Sequence, residues 1–242
     1  MRLPGALFLM AIFLQVSFCN GAMVQTISQL AASKAEIREQ AEKNLFAADS
    51  GELLEGLTNF VQSPESNPRA AEAGILFLRK KDVELPNRLL PIANKIPSPQ
   101  VRAALLNSVV LSRSDTNALK SVVSLLKDTN LIVRLSAAEL VKNRKENMDA
   151  VLKIGFQSLS SDEAEWLGDP PRPAAIIGKQ LLASLKNKKA VLNFLHQQTI
   201  DTDRVKYHTL DLISVLSRKT PRFIYVHIGN PTAKEVELLS KQ

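Results

Sequence analysis

The chain has 242 residues, with 31 Lys and Arg against 24 Asp and Glu, for a formal net charge of +7. The basic residues are dispersed and aromatics make up 5% of the chain, which argues against a stacking platform for nucleic-acid bases. The single cysteine, Cys19, falls in an expected leader, so neither a disulfide nor a thiolate metal site is expected in the mature chain.

Residues 1–22 read as a secretory signal peptide. Met1-Arg2 gives a short basic start, residues 6–18 (ALFLMAIFLQVSF) are almost wholly apolar, and Cys19-Asn20-Gly21-Ala22 is small or polar. The run is shorter than the roughly 20 residues that span a bilayer. A secreted or periplasmic protein is therefore expected. Lipoprotein processing at Cys19 is the alternative, and bulky Phe18 beside the cut argues against it. Residues 23–49 then read as one long N-terminal capping helix. Ile27, Leu30, Ile37, Ala41, Leu45 and Ala48 face inward, and Lys34, Glu36, Arg38, Glu39, Glu42 and Lys43 form a polar outer face.

From residue 50 to 218 the sequence alternates two kinds of helix. First helices are expected near 52–62, 86–96, 117–127, 148–159 and 188–198, each an amphipathic run. Second helices come after them at 67–78, 98–111, 131–143, 169–185 and 203–216. Several open with a capping residue and proline: Asn67-Pro68, Ser98-Pro99 and Asp169-Pro170. Each second helix carries a basic residue near its start, at Arg69, Arg102, Arg134, Arg172 and Lys206, in steps of 33, 32, 38 and 34 residues. A single hairpin cannot bury its apolar face, so units with this period are expected to stack.

The segment LLKDTNLIVRLSAAELVKN, residues 125–143, resembles short HEAT-like repeats. The resemblance covers about residues 50–216. It implies an all-α fold: a right-handed α-solenoid, HEAT-like or armadillo-like, of about five hairpins. It further implies that Asp128 and Arg134 form structural hydrogen bonds between successive repeats. Arg69, Arg102, Arg172 and Lys206 match the basic slot only, without an Asp partner at the matching position. Residues 125–216 are also similar to the helical C-terminal appendages of exported sulfatase-like enzymes, although the sulfatase cysteine motif and metal ligands are absent.

Two stretches depart from the repeat. Residues 160–173 lengthen one step to 38 and carry the sole tryptophan, Trp166, with Asp169 and Arg172. This is the candidate partner-binding loop. Residues 219–242 form a closing segment, in which RFIYVHI at 222–228 reads as a strand. Neither His196, His208 and His227 nor Asp162-Glu163-Ala164-Glu165 has the spacing of a metal or acid–base site, and no P-loop or nucleophile elbow occurs. No catalytic residue, cofactor or metal is expected. The expected role is a non-catalytic exported module that binds a protein partner. An accessory subunit of an exported hydrolase and a module binding an anionic polymer such as a polysaccharide are the alternatives.

Overall fold

The computed structural model describes residues 21–112, 115–161, 173–200 and 202–217. Residues 1–20 of the expected leader, Trp166, Asp169, Arg172 and the expected strand at 222–228 lie outside the described residues. Among those described, the ordered elements are helices and there is no strand. No helix among them is long and apolar enough to cross a membrane. The chain divides into two compact units, Met1–Ser121 and Val122–Gln242.

In the first unit the N-terminal helix expected over 23–49 is instead two helices, α1 (residues 21–29) and α2 (Ala35–Ala47). The N–H groups of Leu30, Ala31 and Ala32 bond to carbonyls three residues back, at 3.1, 3.3 and 3.0 Å. This is the tightened last turn on which helices end. What holds α1 in place is a notch in α3 (Ser50–Gln62). A Cβ on Gly56 would lie 2.2 Å from Cγ of Met23, so only glycine lets α1 settle there. Ile27 and Leu57 are fully buried beside the neighbouring α4 (Pro68–Lys81). Side chains of that size contribute about 1.5–3 kcal/mol each when buried.

Asn67 caps α4 by accepting from the N–H groups of Arg69 and Ala70, with Pro68 at the first helical position. The next first helix, expected over 86–96, is a 3-10 helix across Leu85–Lys95. Pro91 in its middle is the reason: it lacks the N–H that an α-helix needs and its ring crowds the preceding turn. Such a long 3-10 run is uncommon, and Asn87 braces it. The Asn87 side chain donates to the carbonyl of Val110 at 2.9 Å and accepts from the N–H of Val110 at 3.3 Å. Between them lies α5 (Pro99–Ser108), capped by Ser98. α3 packs on α4, α4 on α5, and the 3-10 helix on all three. The unit boundary falls within α6 (Thr116–Leu125).

The second unit contains α7 (Leu131–Val141), α8 (Met148–Ser158), α9 (Ala174–Ser184), α10 (Lys188–His196) and α11 (Asp203–Ser217). Asn130 caps α7. Val133, Ala137 and Val141 are buried as the pattern requires, but so are Ile132, Leu135, Ser136 and Ala138, so α7 is enclosed on nearly every side. α8 packs on both α7 and α9. α7 also packs on α9, α9 on α11, and α8 on α10. Alternate helices of this unit are therefore neighbours. α8 and α9 approach so closely at Gly178 that a Cβ there would lie 1.6 Å from the Ser158 hydroxyl and 2.8 Å from the Gly155 carbonyl oxygen.

Candidate functional site

Three arginines, Arg38, Arg102 and Arg134, are turn fasteners. Arg134 Nη1 donates to the carbonyls of Asp128 at 2.7 Å and Thr129 at 2.9 Å. Arg102 Nη1 donates to Ile96 at 2.7 Å and Pro97 at 3.0 Å. Arg38 Nη1 donates to Ala32 at 2.6 Å and Ser33 at 2.9 Å. In each case one nitrogen grips two successive carbonyls, six and five residues back, in the turn leading into its own helix. Each arginine stands four residues after its N-cap, Lys34, Ser98 or Asn130. At that position its N–H closes on the cap carbonyl and its side chain points back along the helix over the turn.

This geometry defines the slot better than residue type does. Arg69 stands two residues after its cap, Asn67, so Ala71 occupies the equivalent position in α4. Lys206 does stand four residues after Thr202, whose carbonyl its N–H meets at 3.0 Å, and its ammonium reaches Asp203 at 3.5 Å. Asp128 uses a carboxylate oxygen to accept from the N–H of Asn130 at 2.9 Å, and it offers its backbone carbonyl to Arg134. Arg134 also reaches forward, from Nη2 to Gln157 of α8 at 3.4 Å. The fastener at Arg38 lies outside the slots expected from sequence. Its signal is nonetheless present in the spacing, because Arg38, Arg102 and Arg134 lie 64 and 32 residues apart.

Other cations are also used between elements. At the end of α4, Lys81 donates to the Ala48 carbonyl and Arg79 to the Asn107 carbonyl at 3.4 Å. Lys142 pairs with Glu139 and reaches Ser184 of α9 at 3.1 Å. The basic cluster at 186–189 sits at a helix start. α9 ends at Ser184, and Lys188 and Lys189 open α10, the end where the helix dipole disfavours cations. Lys186, Lys188 and Lys189 are all exposed.

Among the described residues, two titratable groups are perturbed. Burial pushes the Glu72 carboxyl up, against the pull of Arg69. Burial, and next the positive charges of Lys179 and Arg204, hold His208 below its ordinary value, with Asp211 opposing. His208 lies on α11 near the ion pair of Lys179 with Asp211, while His196 ends α10 and is exposed. Among the described residues, no three His, Cys, Asp or Glu side chains come together as metal ligands.

Compared with protein-family models, characterised proteins and solved structures, the chain matches none. Among the described residues, Phe46 on α2 and Tyr207 on α11 are the most exposed large apolar side chains, at 75% and 59%, one in each unit. Sequence reasoning passes over both, because each falls inside an ordinary amphipathic pattern.

Proposed function

We propose that this chain is a non-catalytic helical-repeat module that binds a protein partner. The observation that carries this reading is the alternation of helices in the second unit, where α7, α9 and α11 neighbour one another and α8 neighbours α10. Stacked hairpins pack in this manner, and extended surfaces built that way serve binding. The shared turn fastener at Arg38, Arg102 and Arg134 supports the same reading. Phe46 in the first unit and Tyr207 in the second are each a candidate anchor on their own unit, since aromatic side chains dominate binding energy at protein interfaces.

The test is to isolate a partner under native conditions and then titrate it with the purified protein. Phe46→Ser or Tyr207→Ser should weaken binding at least tenfold, or about 1.4 kcal/mol, with no loss of thermal stability. The reading fails if no partner binds in solution, or if affinity ignores both substitutions.

The anionic-polymer reading has one observation in its favour, the exposed Lys186, Lys188 and Lys189 around the start of α10. It requires binding that falls steeply with salt. Arg38, Arg102 and Arg134 contribute less to it than their charge implies, because they are engaged by backbone carbonyls.

A further inference from the structure

We propose that His208 is an acid-sensitive latch that keeps α11 docked on α9 near neutral pH and releases it on acidification. α11 is the last described helix and packs against α9 and α10. An ion pair between Lys179 and Asp211 joins it to α9. His208 lies three residues before Asp211 and four after Arg204, so the three share one side of α11. Its ring meets Tyr207 edge-on at 5.5 Å. Its Nδ1 is buried and has no hydrogen-bond partner among the described residues. The adjacent Thr209 hydroxyl is likewise buried and unpartnered there.

This arrangement favours the neutral ring. In the neutral ring with its proton on Nε2, Nδ1 is a lone pair that merely lacks a donor. Protonation turns Nδ1 into a buried donor with no acceptor, which costs more. It also adds a positive charge that Lys179 of α9 and Arg204 of α11 repel. The facing anion, Asp211, is already engaged by Lys179. The charged groups of α10, Lys188, Lys189 and His196, are exposed at its two ends. The docked state therefore resists the proton that the separated helix accepts readily. His208 sits below 6.5 while docked, so the docking free energy is whole above the ordinary value. It drains away as pH falls through 6.5 to the lower midpoint of the docked state.

The experiment uses the full chain. Imidazole NMR follows His208 against pH, and amide exchange, corrected for intrinsic rates, compares α11 with α8 between about pH 7.5 and about pH 5. His208 should titrate below 6.5. Acidification should raise the opening constant of α11 tenfold for each unit by which the docked midpoint lies below the free one, with little change in α8. His208→Gln, which cannot charge, should flatten the α11 response. Arg204→Gln should raise the His208 midpoint and shrink the opening, a readout that survives if the glutamine variant at 208 fails to fold. A His208 midpoint at or above 6.5 would overturn the proposal. So would an α11 response that persists undiminished in either variant.

Discussion

One nitrogen of Arg134 satisfies two carbonyls that the turn before α7 leaves without helical partners. Backbone oxygens accept a charged donor well, and a part-exposed bond of this kind contributes at the lower end of the range for charged groups. Arg134→Ala should lower unfolding free energy by about 1–2 kcal/mol, read by urea denaturation at unchanged slope. Arg134→Lys should recover only part of that, because a compact ammonium lacks the reach and the fixed fork of guanidinium. Equal stability of the alanine variant and the parent would mean that the two bonds merely replace hydration. The same position in α4 holds Ala71, so that turn is kept by the Asn67 cap and not by a fastener.

At the scale of elements, the contact between α8 and α9 is set by backbone proximity. Gly178→Ala would add about 1 kcal/mol of helix propensity. Against this, its methyl would fall 2.8 Å from the Gly155 carbonyl, an atom that cannot move without its helix. Overpacking against backbone costs about 1–3 kcal/mol, so the substitution should lower the melting temperature. A rise would show that the two helices separate freely. Much of this layer is legible in the sequence. Asn67, Ser98 and Asn130 cap where their type and position say they should, and most helix spans track the apolar periodicity. The break between α1 and α2 is hidden, because Leu30 to Lys34 contains neither glycine nor proline, and Ile27 with Leu30 continues the apolar stripe of α2. The 3-10 run is masked for the opposite reason: Pro91 is visible, but its apolar neighbours Leu89, Leu90 and Ala93 keep a helical pattern. The candidate surface is least legible, since an exposed Phe46 or Tyr207 differs from a buried one only by the rotation of its helix.

For the molecule as a whole, the division into Met1–Ser121 and Val122–Gln242 has a thermodynamic counterpart. Denaturation followed by amide exchange in α4, of the first unit, and in α9, of the second, should give midpoints that do not coincide. Coincident curves, with one slope, would show the units to be a single cooperative block.

The fastener reads no side chain. Ala32-Ser33, Ile96-Pro97 and Asp128-Thr129 share no residue type, yet each offers the same pair of oxygens to an arginine. What is preserved from turn to turn is a distance along the backbone. The joint therefore asks for a spacing, and the residues that supply its two oxygens differ at every one of the three turns.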